Sequence, residues 1–408
     1  MITVEQALEI VLREARVLPG EEVGLEDAAA RVLAEDVRSD VDLPPFDRSA
    51  MDGYALRAAD VAGAPAALEV VGEVRAGQWP SRPVGPGQAV RIMTGAPVPE
   101  GATAVQQVEK TRPLDEFRVT ILSPVSAGAN IAPRASEVSE GDVVMERGRL
   151  LDPAAVAVLA SAGRARVRVG RRPDVGVLVT GDEVVDVGAS PRPGQIRNTN
   201  GPAVCALARA AGAKVQVLGV APDDSTQLED ALRRGLAADV LVVSGGVSAG
   251  DYDLVLPALE ELGFTFLFTK VAIKPGAPLV FARRGDTLAF GLPGNPVSAQ
   301  VTFDLFVRAA LLHMQGARVV SRPRVGVELL APVANHSGRR AHVPARVRWE
   351  DGRLVARPVR SMGSGDLVAH ARANALVVLD ADRTEAGVGE KAEAVLLGRF
   401  MEDDGAPL

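Results

Sequence analysis

The sequence predicts an α/β plus β protein of several domains, and three observations carry that expectation. Residues 173–316 alternate short apolar runs with helical patterns of roughly 10–15 residues, the rhythm of a parallel sheet with crossover helices. Residues 50–145, and again those after Ser321, break into short Val-rich runs divided by Gly and Pro turns, which is the texture of β structure. At 408 residues the chain also exceeds what one ordinary core organises.

Taken in order, Thr3-Val4-Glu5-Gln6 is a capping-box pattern. Ala7, Leu8, Val11 and Leu12 follow at helical spacing, giving a first helix to about Arg16. A second helical pattern covers Leu25 to Ala34, and Pro44-Pro45-Phe46 then forbids helix. Asp152 and Pro153 read as the N-cap and first position of a helix reaching Gly163. The alternation of Arg164, Arg166 and Arg168 reads as the wet face of a strand. The expected division is a helical linking domain (1–44 and 146–172), an inserted β-rich domain (45–145), a central parallel-sheet α/β domain (173–320) and a small barrel-like β domain (321–408). Inside the α/β unit, strands are expected at Val175–Val179, Val215–Val220 and Val240–Val243 and near Phe264, Leu279 and Leu288. Helices are expected at Gly201–Ala211, from Thr226, up to Leu262, and at Val297–Met314.

Hydrophobic content of 47% and charged content of 24% are those of a soluble globular protein. A net charge of −7 argues against a nucleic-acid partner, which needs a basic face. Cys205 is the single cysteine, so an intrachain disulfide framework is excluded and a reducing compartment fits. No secretory leader is legible at the start, and no apolar stretch approaches the roughly 20 residues of a membrane helix. A cytoplasmic protein without a membrane partner is expected. Lysine is rare: Lys110, Lys214, Lys270, Lys274 and Lys391 are the full set.

The chemistry-bearing residues fall at the ends of the expected strands. Thr180-Gly181-Asp182-Glu183 leaves two acids at one strand tip, and Ser244-Gly245-Gly246 leads to Asp251 and Asp253 beyond another. In an open parallel sheet such tips meet in one crevice. Carboxylates there suit a hard cation such as Mg²⁺ shared with substrate phosphates, with Asp182 and Asp251 as the metal candidates; Asp253 equally fits a helix N-cap. Lys270-Val271-Ala272-Ile273-Lys274 alternates, so both lysines face one way, their roots about 13 Å apart at ~3.3 Å per residue. Pro275-Gly276 and Gly291-Leu292-Pro293-Gly294-Asn295-Pro296-Val297-Ser298 are turns, the second opening a helix whose start offers amides and the Ser298 hydroxyl to an anion. Gly246-Val247-Ser248-Ala249-Gly250 also matches a nucleophile elbow, which would need His313, His336, His342 or His370 as base. Asp47 to Ala55 and Ile92 to Pro99 stand out in the β insert as polar turn-bearing loops.

Together, Phe46–Ala55, Met93–Pro99, Thr180–Glu183, Ser244–Asp253, Lys274–Gly276 and Pro293–Ser298 resemble the molybdopterin molybdenumtransferase family, which includes the E domain of gephyrin. The resemblance implies that the α/β unit is a molybdopterin-binding-like domain in an elongated homodimer with a composite active site. It implies that molybdate and adenylylated molybdopterin, with Mg²⁺, give molybdenum cofactor and AMP. Asp182, Glu183 and Asp251 carry over as metal or catalytic acids, and Lys270, Lys274, Ser248 and Ser298 as anion contacts. Gly245, Gly246, Pro275, Gly276, Pro293, Gly294 and Asn295 supply the substrate loops, and Asp52 and Thr94 come from the partner subunit. A molybdopterin adenylyltransferase is the implied protein contact. The chain departs from the family pattern at Ala132 and Ala135-Ser136-Glu137 (with Arg134 and Glu137 as stand-ins), at Asn198 and at Ala277. A pterin-holding scaffold of weak turnover is therefore the second reading and a serine hydrolase at Ser248 the third.

Overall fold

The computed structural model describes residues 1–247 and 254–398. The capping box forms as the sequence predicts: the Gln6 N–H donates to the Thr3 hydroxyl and the Thr3 N–H to the Gln6 side chain, opening a helix at Val4–Glu14. Its buried face (Val4, Ala7, Val11) packs into the core of the α/β unit, together with the helical run that closes that unit.

The expected helix at Leu25–Ala34 does not form. One 3₁₀ turn, Leu25–Asp27, is followed by Ala30 at φ 60°, and the chain then bridges Val32 to Leu150 and Leu33 to Val169 in extended form. Ala28 and Leu33 are fully buried against Leu151, Leu159 and Val167. Alanine-rich propensity over so few residues is weak, and the tertiary contact outweighs it. The linking segment is thus mixed rather than helical. Gly20–Gly24 pairs antiparallel with Arg166–Gly170, and Asp152 caps Pro153–Ser161 through the Ala155 N–H. Arg166 and Arg168 are exposed while Val167 and Val169 are buried, the alternation read from the sequence.

The inserted segment folds as a six-stranded sheet in the order Ala104–Gln107, Gly53–Leu56, Gln88–Ile92, Ala66–Val74, Arg118–Ile121, Thr111–Pro113. Its two buried clusters draw only on residues of the insert.

The central sheet runs Lys214–Ala221, Asp174–Thr180, Val240–Ser244, Thr287–Leu292, Val280–Arg284, Thr265–Phe268. The first four strands are parallel, as expected, and Val280–Arg284 runs antiparallel to both its neighbours, Thr287–Leu292 and Thr265–Phe268. From Asp174–Thr180 the chain goes first to one side (Lys214–Ala221) and then to the other (Val240–Ser244). The order therefore reverses at Asp174–Thr180, and that is where a parallel sheet opens a crevice beyond its carboxyl ends. The helix Ser225–Gly235, capped by Asp224, begins one residue earlier than the expected start at Thr226. The closing helix, Pro296–Thr302 and Arg308–Met314, is continuous through a wide π turn at Phe303–Val307 that carries Asp304, ion-paired at 2.6 Å with Arg322.

The last region closes a five-stranded ring of Arg340–Glu350, Arg353–Pro358, Arg324–Leu329, Lys391–Leu396 and Ala375–Leu379, which pairs back to Arg340–Glu350. Ile273–Lys274 adds to the ring's Arg340 edge rather than to the central sheet. Leu376, Val378 and Val395 on the ring join the core of the α/β unit. No described helix is long and apolar enough to cross a membrane.

Candidate active site

The tips of Asp174–Thr180 and Val240–Ser244, the loop after Thr287–Leu292 and the start of Asn200–Ala210 surround a crevice of about 820 Å³. Glu183, Gly245, Gly246, Gly294 and Asn295 line it, as the sequence predicts for converging strand ends. Its shape rests on glycines. Gly245 has φ 101°, and a Cβ there would lie 2.6 Å from the Thr180 carbonyl oxygen. Gly246 has φ 61°, and its Cβ would meet Val255 and the Thr180 hydroxyl. The buried Thr180 hydroxyl has no hydrogen-bond partner among the described residues.

One side chain fixes the tips to each other. Asn200, 8% exposed, donates from Nδ2 to Ser244 Oγ and to the Gly294 carbonyl, both at 2.8 Å. The Ser244 hydroxyl in turn points to the Pro293 carbonyl at 3.4 Å. Asn198 lines the same crevice and accepts from the Gly201 N–H, starting the helix.

Asp182 lies on the turn beside the crevice and is exposed. Its Oδ1 accepts the Asp223 N–H at 2.9 Å, and its own N–H donates to Asp223 Oδ2 at 3.3 Å. Each carboxylate keeps one oxygen without a hydrogen bond among the described residues. Asp223, which lines the crevice, is the residue that sequence reasoning missed. The available signal was Pro222-Asp223-Asp224 at the end of an apolar run, the same pattern that singled out Asp182. Among the described residues no three His, Cys, Asp or Glu side chains cluster as a metal cage. Two oxygen donors that leave further positions to substrate phosphates and water nevertheless fit the way Mg²⁺ is held.

A second cavity of about 500 Å³ opens between the α/β unit and the ring. Lys274, Pro275, Gly276, Pro293 and Ser298 line it, with Arg339 and His342 from the ring, and Asn295 borders both spaces. Among the described residues neither Lys274 nor Arg339 has an ion-pair partner, so two free cations face one enclosed space. Gly276 has φ 106°, and a Cβ there would press on Thr302 at 2.4 Å. The helix start is less open than expected, because the Val297 N–H donates to the Ser364 carbonyl. His342 is 2% exposed, and burial, followed by the nearby Arg340 and Arg324, pushes its imidazole down to about 3. No histidine lines the strand-tip crevice among the described residues.

Lys270 and Lys274 are exposed while Val271 and Ile273 are fully buried, the alternation read from the sequence, but Lys270 lines neither cavity. Ser248, Asp251 and Asp253 lie outside the described residues. Asp52 and Thr94 meet each other in the insert, Oδ1 accepting from both the Thr94 N–H and hydroxyl at 2.7 Å, and line neither cavity. These two donors hold the Asp52 carboxyl below the usual range. Of the stand-ins, Arg134 pairs with Asp42, and Glu137 pairs with Arg48 at 2.9 Å; Ala277 lines the second cavity.

Acids and glycines at a sheet's switch point, beside a cation-lined cavity under a β ring, make up the candidate site. The chain matches three family descriptions in succession: "MoeA N-terminal region (domain I and II)" over residues 2–163, "Probable molybdopterin binding domain" over 176–313 and "MoeA C-terminal region (domain IV)" over 327–397. It is 37% identical to a molybdopterin molybdenumtransferase of Bacillus subtilis, covering 93% of this chain and 90% of that protein. It is 36% identical to one of Haemophilus influenzae, covering 96% and 97%. A solved molybdopterin biosynthesis moeA protein of Pyrococcus horikoshii OT3 superposes with TM-score 0.83 at 31% identity, covering 97% of this chain and 100% of that one. The chain belongs to the molybdopterin molybdenumtransferase (MoeA) family.

Proposed function

We propose that this enzyme of molybdenum-cofactor biosynthesis transfers molybdenum from molybdate to adenylylated molybdopterin, with Mg²⁺, and releases AMP. One observation carries the reading: the acid-bearing crevice and the cavity with free Lys274 and Arg339 share Asn295, so one extended substrate spans both. The Lys274 ammonium, the Arg339 guanidinium and the Ser298 hydroxyl hold the oxyanion against the dithiolene end. The Gly246 amide receives a phosphate oxygen, with the Gly245 N–H held on the Leu292 carbonyl and Asn200 keeping those loops in place. Asp182 and Asp223 would hold Mg²⁺, assisted by Asp251. When bound, the cation neutralises phosphoanhydride charge and assists departure of AMP. Glu183 orients the adenylyl end. Asp52 and Thr94 line neither cavity of their own chain, which suits a homodimer in which the insert of one subunit closes the crevice of the other.

The test is AMP release by purified protein given adenylylated molybdopterin, Mg²⁺ and molybdate. Asp182→Asn abolishes release with the melting temperature unchanged, since the side chain is exposed. Unchanged turnover in this variant removes Asp182 from the site. Tight binding by the wild type without AMP release replaces the transferase with a pterin-holding scaffold.

A further inference from the structure

Aromatics make up only 3% of this chain, yet one of its two tryptophans, Trp79, is held 74% exposed on the inserted sheet. Its ring packs perpendicular to that of Phe46, centroids 5.7 Å apart and planes at 90°, while most of the indole surface stays open to solvent. The loop is pinned by a tight turn: the Gln78 N–H donates to the Arg75 carbonyl at 3.0 Å and the Arg75 N–H to the Gln78 side chain at 3.3 Å. Ordered, exposed aromatic surface of this kind marks a binding face.

The same edge of the insert carries the Asp52–Thr94 pair. The Met93 N–H donates to the Val74 carbonyl at the root of the Trp79 loop, and the Val98 N–H to the Asp47 carbonyl beside Phe46. The Phe46, Trp79 and Thr94 loops are therefore neighbours. Asp52 spends Oδ1 on both Thr94 donors, while its second oxygen has no hydrogen bond among the described residues. A pterin presents a flat π face and, side by side, a ring N–H and an amino group. A stacking indole beside an ionised carboxylate complements both features, whereas adenine sets an acceptor nitrogen next to its amino group and fits the carboxylate less well.

We propose that Trp79, buttressed by Phe46, stacks on the pterin ring system of the substrate, and that Asp52 accepts its paired N–H donors. This assigns the ring-recognition face of the transferase reading above and rests on it. Trp349→Phe leaves Trp79 as the sole tryptophan, so its emission and acrylamide quenching report on this face alone. In that background, 6-hydroxymethylpterin shields Trp79 from acrylamide in a saturable way. By calorimetry, Trp79→Ala weakens pterin binding roughly 10- to 100-fold, Trp79→Phe retains most of it, and Asp52→Asn weakens pterin while sparing AMP. Pterin affinity unchanged in Trp79→Ala, or no saturable shielding of Trp79 by 6-hydroxymethylpterin, overturns the inference. If AMP release stays intact in either case, the transferase reading stands without it. Absence of AMP release from the wild type sinks that reading, whatever Trp79 reports.

Discussion

At the residue scale, the crevice depends on positions where a single carbon does not fit. Gly245 combines φ 101° with a Cβ position 2.6 Å from backbone, so both the strained conformation and the collision oppose a side chain. At the adjacent Gly294, by contrast, a Cβ would come no closer than 3.8 Å, to the Gly245 Cα, and φ lies outside the left-handed region. Gly245→Ala should lower the unfolding free energy by about 1–3 kcal/mol, whereas Gly294→Ala should stay within about 0.5 kcal/mol; chemical denaturation of the two variants checks the contrast. His342 gives a second residue-level expectation. Its folded pKa of about 3 lies below the usual 6.5 because burial disfavours the imidazolium. Between these values the unfolded chain binds more protons than the folded one. His342 therefore costs stability progressively as pH falls from about 6.5 toward 3 and costs nothing above that window. His342→Phe should flatten the acid limb of the stability–pH curve. An unchanged limb, measured by denaturant titration at each pH, would show that the imidazole is not buried neutral.

At the element scale, Asn200 ties two tips to the first turn of its own helix. Asn200→Ala leaves Ser244 and the Gly294 carbonyl without their shared donor, at a cost of about 1–3 kcal/mol. Amide exchange at Gly245 and Gly294 should quicken in this variant while exchange in the inserted sheet stays unchanged. Much of this geometry was legible in the sequence. Strand-tip acids, glycine turns and the Lys270–Lys274 alternation are local signals, and the capping box at Thr3 needs only four residues. What was illegible depended on contacts across the chain. The Leu25–Ala34 pattern looked helical until Leu150 and Val169 took up its backbone. The antiparallel hairpin at Thr265–Arg284 is a matter of topology that periodicity does not report. Asp223 went unremarked because its partner, Asp182, is 41 positions away, and the amides at Val297 seemed free because Ser364 is remote. The composite role of Asp52 and Thr94 came only from resemblance.

At the scale of the whole molecule, the distribution of buried clusters divides the chain by cooperativity. The two clusters of the insert contain no residue from outside it. The main cluster joins Val4, Ala7 and Val11 of the first helix, the closing helix with Phe303 and Phe306, and Leu376, Val378 and Val395 of the ring. The same seam is crossed by Arg340, which bonds Glu5 on one side and, at 2.7 Å, Asp380 on the other. Elements that share a core unfold together, whereas a segment with its own core can melt alone. Calorimetry should therefore resolve a smaller transition for the insert apart from a larger one for the α/β unit with the ring. Leu376 is fully buried at the seam, and Leu376→Ala should cost about 2–5 kcal/mol. That loss should lower the larger transition and leave the smaller one in place. If the ring melted as a third event, or if Leu376→Ala moved only that event, the seam would be a contact between separately folding units. The second cavity, roofed by Arg339 and His342 and floored by Lys274, would then open and close independently of the strand-tip crevice. A single cooperative core keeps the cations at a fixed distance from the acids, which a substrate spanning both spaces requires.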